Sequence, residues 1–430
     1  MYFFYSALLA LGLLLLSPYF VFQGLRHKKY FHNLGQRLGW LPEAVRRVAP
    51  GGMWVHAVSV GEVLAVVPLV RQLRQRFPER PLLLTTVTLT GQHIAARQQL
   101  ADAVFYFPFD FALACRRALA HLRPALVVVA ETEIWPNFLR EAKRAGVPVG
   151  FVNGRISERS FRGHRRFPLW HRFLRCVLCT PAFFLMQSEH DAERIIALGA
   201  PATRVAIGGN LKFDVSVPAR PAFLAALEAR VPVIVGGSTL EGEEAMLVDC
   251  LRGLKRDFPG ALLVLAPRHP ERFDPVARWL EARRVPFVRR SALRTPGDNH
   301  FFEANRPDVL LLDTLGELAG TYAAATVAFV GGSLVPAGGH NPVEPGLWGK
   351  PILFGPSMEN FRLMARAFES AGAAVQVRDS RELGTRLAEL LGDAERRRAM
   401  GRAAAALVAS SRGATARAVE KVAQLLAAPG

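Results

Sequence analysis

The chain of 430 residues holds four cysteines, too few for a disulfide framework at this length. Cys176 and Cys179 make a C-x-x-C with no second pair, which excludes the paired-knuckle zinc sites and fits a reduced compartment. No D-x-D occurs, so the usual acidic pair for a divalent cation is missing. Acids are scarce overall: 36 Asp and Glu stand against 54 Lys and Arg, a net charge of +18 and an isoelectric point near 10.7. Such an excess suits nucleic acid, an anionic membrane surface or a phosphorylated substrate. No known nucleic-acid module fits the chain, which sets the first aside. No close internal repeat is visible.

Charge is also missing from the first 25 residues. The apolar run from Tyr2 to Phe22 is about long enough to span a bilayer core, and Arg26, Lys28 and Lys29 follow at once. The positive-inside rule then keeps the rest of the chain in the cytoplasm. A cleaved signal peptide fits poorly, because no basic stretch precedes the run and no small-residue cleavage site ends it. Ser17-Pro18 allows either a kinked helix or a shallow interfacial anchor.

What is abundant is apolar residues, half the composition, and they recur in one pattern. MWVHAVSV (53–60), LLLTTVT, ALVVVAE, VPVGFVN, FFLMQS and VAIGGN read as strands, separated by amphipathic helices. A stretch with two prolines, Asp214 to Ala222, reads as a linker. The pattern then restarts with VPVIVGGST, ALLVLAPRHP, VLLLDT, ATVAFVGGS and KPILFGP, and ends in an alanine- and arginine-rich helical tail from about Arg381. Continuous apolar strands alternating with helices indicate parallel sheets covered on both faces. The expected division is an anchor at residues 1–25, a first α/β domain at 26–214 and a second at 215–430, with the C-terminal helices able to pack back on the first. Two such Rossmann-like halves facing across a cleft fit the GT-B glycosyltransferase architecture.

Ligands on parallel sheets gather at the carboxyl ends of strands, where the chain places its chemistry-bearing residues. VGGSLVPAGGHNPVEP (330–345) follows a strand, bends at paired glycines and opens a helix at Pro342. A glycine loop leading into a helix start is a ready anion site, and Glu344 beside it can accept hydrogen bonds from ribose hydroxyls. Arg268, at another strand end, can pair with a phosphate, or with an acid of its own fold. Gly316-Glu317-Leu318 opens a helix whose free N–H groups suit a phosphate, or is a plain cap. Glu62 can take a proton from a sugar hydroxyl, although the helix dipole there favours its charged, less basic form. Glu131-Thr132-Glu133 has the look of a metal-binding pair, but no histidine lies at ligand spacing, so no metal or other cofactor is expected. The run from Gly154 to Arg175, rich in arginine and aromatics, suits anionic lipid headgroups or acceptor phosphates, and a solvated basic helix accounts for it as well.

Together HAVSVGE (56–62), ETEIWPN (131–137), NGRIS (153–157), GNLKFD (209–214), PRHPERF (267–273) and GGSLVPAGGHNPVEP (331–345) closely resemble the 3-deoxy-D-manno-octulosonic acid (Kdo) transferases of lipopolysaccharide synthesis. That resemblance implies a metal-independent, inverting GT-B enzyme that moves Kdo from CMP-Kdo onto the glucosamine disaccharide of a lipid A precursor at the inner membrane. It makes Glu62 the proton acceptor and gives Glu131 and Lys212 transition-state support. It carries CMP contacts to Pro267, Arg268, Leu315, Gly316, Glu317, Asn341, Pro342, Val343 and Glu344. The chain departs at Gln36, where a glutamate is expected. Two other readings stay open from residues alone: a GT-B enzyme using a UDP-sugar and a lipid carrier, and a membrane-tethered binding protein with a dead site.

Overall fold

A computed structural model describes residues 1–27, 33–215, 217–228, 232–293 and 307–427; Lys28 and Lys29 lie outside them. The chain forms two compact units, Met1–Asp214 with Ser411–Gly430, and Val215–Ser410. Unit 1 holds strands β1 (Met53–His56), β2 (Leu82–Thr86), β3 (Ala103–Tyr106), β4 (Leu126–Ala130), β5 (Val149–Gly154), β6 (Phe183–Met186) and β7 (Val205–Ile207). Unit 2 holds β8 (Val233–Thr239), β9 (Leu262–Pro267), β10 (Phe287–Arg289), β11 (Val309–Leu311), β12 (Val327–Val330), β13 (Ile352–Phe354) and β14 (Ala374–Gln376). The helices used below are α1 (Tyr2–His27), α2 (Val60–Arg76), α3 (Pro136–Arg144), α4 (Glu158–Arg165), α5 (Pro168–Leu178), α6 (Glu243–Leu254), α7 (Val343–Leu347) and α8 (Ala414–Ala427).

Both sheets are parallel throughout. Their orders are β3-β2-β1-β4-β5-β6-β7 and β10-β11-β9-β8-β12-β13-β14. Strand direction of winding reverses between β1 and β4 in unit 1, and between β8 and β12 in unit 2. At such a switch point the loops beyond the two strands diverge and leave a crevice, the usual place for a ligand.

The strands are apolar at every position because both faces are covered. In β1, Trp54 faces one core with Phe105, Phe107, Phe138 and Phe173, while Met53 and Val55 face the other with Val63, Val66 and Leu69 of α2. Trp54 meets Phe138 edge-on at 5.3 Å and donates its indole N–H to Thr85 Oγ1 at 2.7 Å. An edge-on aromatic pair adds about 0.5–1.5 kcal/mol beyond its buried area.

Three strands not expected from the pattern, β3, β10 and β14, all lie at sheet edges. All three are short; β10 and β14 are only partly buried and lack the continuous apolar run that marks a central strand, whereas β3 is apolar and mostly buried.

The C-terminal segment rejoins unit 1. Ala414, Ala418 and Val422 of α8 enter the core beneath α2. Asp214, the last residue before unit 2, accepts the backbone N–H of Gly413 at 2.6 Å and that of Thr415. One carboxylate thus caps a helix that starts 200 residues later in the chain and ties together the two points where the chain crosses between units.

Among the described residues no helix is long and apolar enough to cross a membrane, so the expected bilayer span of Tyr2 to Phe22 finds no support there. The start of α1 instead packs on unit 1. Tyr2 meets Phe173 edge-on at 4.9 Å, Tyr5 donates its hydroxyl to Asp110 at 2.9 Å, and Asn137 donates to Ser6 at 3.0 Å. On the other side of the helix Phe3, Phe4, Leu8, Leu14 and Leu15 are exposed.

Replacing Asp214 with alanine removes a charge-assisted cap, an effect of about 1–2 kcal/mol. The expected outcome is a fall of a few degrees in the melting temperature, read by calorimetry, with faster proteolysis within 411–427.

Candidate active site

In unit 1 the site forms around the switch point between β1 and β4. Glu62 lies in the first turn of α2, which Ser59 caps: Glu62 N–H reaches Ser59 Oγ at 3.4 Å. The carboxylate returns the contact, accepting Ser59 Oγ–H at 2.9 Å and Val58 N–H at 2.9 Å. This is a capping box, and it fixes the carboxylate at the strand end. Its pKa lies above the ordinary value because burial outweighs the Val58 hydrogen bond, and Glu131 pushes the same way. The expected weakening of this base by the helix dipole is therefore overturned. Loss of water dominates, and a raised carboxylate is a stronger base.

Two more carboxylates act on it. Glu131 follows β4 with φ +56°, held by its N–H on Val152 O at 2.9 Å. Glu133 is pushed up to about 7, first by burial, then by Glu62 and by Glu131. Three acids thus converge on one strand edge of a strongly basic chain. Among the described residues no group of three His, Cys, Asp or Glu is arranged to hold a metal ion.

The neighbouring motifs are stitched to this cluster through their backbones. Thr132 donates to Arg155 O at 2.5 Å and accepts Arg155 N–H at 2.8 Å. Asn153, at φ +57°, accepts Leu211 N–H at 3.0 Å. Asn210 accepts Lys212 N–H at 3.0 Å, closing the turn that carries the lysine. Asp110 accepts Phe138 N–H at 2.7 Å and Asn137 N–H at 3.1 Å, capping α3 just after the ETEIWPN loop. Gln36, at the departure from the expected glutamate, accepts Tyr106 N–H at 3.0 Å and donates to Asn33 at 3.2 Å. It serves the edge strand β3, and a glutamate could not make the second bond.

Unit 2 brings its motifs together in the same way. Arg268 follows β9, is exposed, and lies close enough to Glu344 and His340 to act on both charges. Glu344 is pushed up to about 7 by burial, against the pull of Arg268. His340 is brought down to about 4, first by burial and then by Arg268 and its neighbour His269. Among the described residues the Nε2 of His340 has no hydrogen-bond partner, and it lies against Gly332. Pro342 stands just before the one-turn α7, and Asn341 Oδ1 accepts Val343 N–H at 3.1 Å. Pro267 ends β9.

One expectation changes here. The Gly331–Leu334 bend is not an open anion site: Gly332, Ser333 and Leu334 donate their N–H groups to Glu243 at 2.7, 3.0 and 3.0 Å. Gly316-Glu317 does open a helix, of a single turn, Leu318–Thr321. The Glu317 carboxylate is held by Arg290 at 2.8 Å and by the Thr314 hydroxyl, while Leu315 is exposed and Gly316 has φ +86°. What this loop offers a ligand is backbone rather than a free carboxylate.

A family model described as 3-deoxy-D-manno-octulosonic-acid transferase (kdotransferase) matches residues 32–215. The 3-deoxy-D-manno-octulosonic acid transferase of Bordetella pertussis is 39% identical over 382 residues, 86% of each chain. That of Haemophilus influenzae is 32% identical over 425 residues, 96% of each chain. The chain belongs to the Kdo transferase family. Among solved structures, a glycotransferase of kitacinnamycin covers 87% of this chain and 99% of its own at a TM-score of 0.52 and 15% identity, which supports the GT-B fold and no more.

For a Kdo transferase the six sequence motifs fall into two sets, one per unit. Glu62, Glu131 and Lys212 belong to unit 1; Pro267, Arg268, Leu315, Gly316, Glu317, Asn341, Pro342, Val343 and Glu344 belong to unit 2. Glu243, Asp110 and Asp214 were not singled out as site residues from the sequence, and Glu133 stood out only as one half of the acidic pair with Glu131. A signal did exist for Glu243: Gly61-Glu62 and Gly242-Glu243 repeat one dipeptide at the start of the helix after the first strand of each unit.

The Glu133 shift predicts a pH dependence. Unfolded, this acid titrates near 4.5; folded, at about 7. Its contribution to stability is full below pH 4.5 and is lost as pH rises to about 7. Glu133→Gln stays neutral throughout, so its melting temperature should gain on that of the wild-type protein between pH 5 and pH 8. Parallel profiles would show that Glu133 is not held in the like-charge cluster.

Proposed function

We propose that this glycosyltransferase moves Kdo from CMP-Kdo to a lipid A precursor, with inversion at the anomeric carbon. The observation that carries the reading is the acid cluster of unit 1. A carboxylate with a raised pKa, fixed by a capping box and flanked by two more, suits removal of a proton from an alcohol.

In this reading the acceptor hydroxyl oxygen bonds to the anomeric carbon of Kdo as its bond to the CMP phosphate breaks. CMP leaves with the bonding pair, and the hydroxyl proton passes to Glu62. Glu131 supports the transition state, and Lys212 offsets negative charge on the departing phosphate. In unit 2 Arg268 faces the phosphate and Glu344 accepts from the ribose hydroxyls. The backbone of Leu315 and Gly316 and the turn Asn341-Pro342-Val343 frame the nucleotide, with Pro267 ending the strand that delivers Arg268.

The test is incubation of purified protein with lipid IVA and a CMP-Kdo supply, read by mass spectrometry and by CMP release. Addition of Kdo is expected; release of UDP from a UDP-sugar in its place would favour a different donor. Glu62→Gln should lower kcat by about 10²–10⁴ and leave CMP affinity unchanged. Unchanged turnover would remove Glu62 from the mechanism.

We further infer that the enzyme works at the cytoplasmic face of the inner membrane, held by the exposed apolar side of α1. Phe167 and Leu169, at the start of α5 and also exposed, extend that apolar surface on the helix that Tyr2 and Tyr5 pack against. The arginines of α4 and its flanks, Arg159, Arg162, Arg165 and Arg166, suit anionic headgroups. Replacing Phe3, Phe4 and Leu8 with aspartate should shift the protein from the floating to the soluble fraction with anionic vesicles. Undiminished flotation would show that this surface is not the anchor.

A further inference from the structure

Glu243 is fully buried, and its surroundings are unusual. Its two oxygens accept four backbone N–H groups: Leu240 at 2.9 Å, Gly332 at 2.7 Å, and Ser333 and Leu334 at 3.0 Å each. The first comes from the loop after β8. The other three come from the loop after β12, on the far side of the switch point. The carboxylate therefore bridges the crevice where a parallel sheet normally receives its ligand, and fills a nest of amides of the kind that binds phosphate. Gly331 must approach this loop closely, since a Cβ there would meet Ser238 O at 2.5 Å.

The next residue extends the device. Glu244 is buried and pairs with Arg272 at 3.2 Å, and Arg272 also pairs with Glu241 at 3.2 Å. Arg272 lies in the PRHPERF segment that carries Arg268. One helix start, Gly242-Glu243-Glu244, thus holds both loops that bring Arg268, His340 and Glu344 together.

We propose that Glu243 is a positioning residue of the donor site: an internal anion that occupies the amide nest at the unit 2 switch point, shapes the 331–340 loop, and leaves the nucleotide phosphate to the Arg268 side. The role in donor binding rests on the assignment of CMP-Kdo above; the clamp itself does not. Gly61-Glu62 occupies the equivalent place in unit 1, where among the described residues the carboxylate accepts only from its own loop and keeps capacity for a substrate proton.

The clamp and the donor are tested separately. Amide exchange of the full-length protein, followed by mass spectrometry, reads the clamp without nucleotide. In Glu243→Ala the segment 330–342 should exchange faster, while β1 and β4 of unit 1 exchange as in the wild-type protein. Formate should restore protection by refilling the nest. CMP titration reads the function: affinity should fall about 10- to 100-fold, the scale of losing hydrogen bonds to a charged group, and formate should recover it. Glu243→Gln keeps the shape but turns an amide nitrogen toward N–H donors, so it should lose affinity without formate rescue. Unchanged exchange in 330–342, or faster exchange with unchanged CMP affinity, would overturn the proposal. Failure of the wild-type protein to bind CMP would instead sink the donor assignment.

Discussion

Backbone N–H groups beyond the end of a parallel strand or in the first turn of a helix have no ladder or helical partner, and when buried they must find another acceptor. In this protein side-chain carboxylates do that work. Asp110 serves Asn137 and Phe138, Asp191 serves Ile156, Asp214 serves Gly413 and Thr415, and Glu243 serves three residues of the glycine loop. Each bond is charge-assisted and stronger than a neutral one, and each joins segments far apart in sequence. The chain has few acids for its 54 cations, and many of those few sit inside, fixing loops. The surface is left basic, as an enzyme with anionic substrates requires.

The two units use the same device for different ends. In each, a Gly-Glu pair begins the helix after the first strand, and the glutamate turns back to cap its own loop. In unit 1 the partners stop there among the described residues, burial raises the pKa, and Glu131, beyond the carboxyl end of the central strand β4, pushes the same way. That carboxylate is poised for a proton. In unit 2 the neighbouring loop donates as well, so four N–H groups hold Glu243 in its place. The chemistry of a glutamate here depends on how many donors the opposite loop supplies.

Much of this was legible in the sequence. Trp54 lies between Met53 and Val55, and all three are apolar because the sheet is covered on both faces; the continuous run says so without a structure. Glu62, Glu131 and Arg268 stood out because they follow such runs closely, and Glu344 because it lies in the helix start that ends the glycine loop. The edge strands β10 and β14 did not, since partial burial breaks the run; β3 is apolar throughout but only four residues long. Gly331-Gly332 misled for a definite reason: glycines announce a tight bend, but not which way its amides point. The apolar start of the chain likewise gave no hint that Tyr2, Tyr5 and Ser6 would turn toward unit 1.

Local pattern alone therefore determined the two parallel sheets, the helices between them and the strand ends where the chemistry lies, because side-chain periodicity records burial residue by residue. Only the tertiary structure decided which acids are reactive and which are architectural. That depends on partners tens or hundreds of residues away, such as Asp214 with Thr415 or Glu243 with Gly332. It also depends on the loss of water, which raises Glu62, Glu133 and Glu344 together, and no sequence neighbour reports that loss.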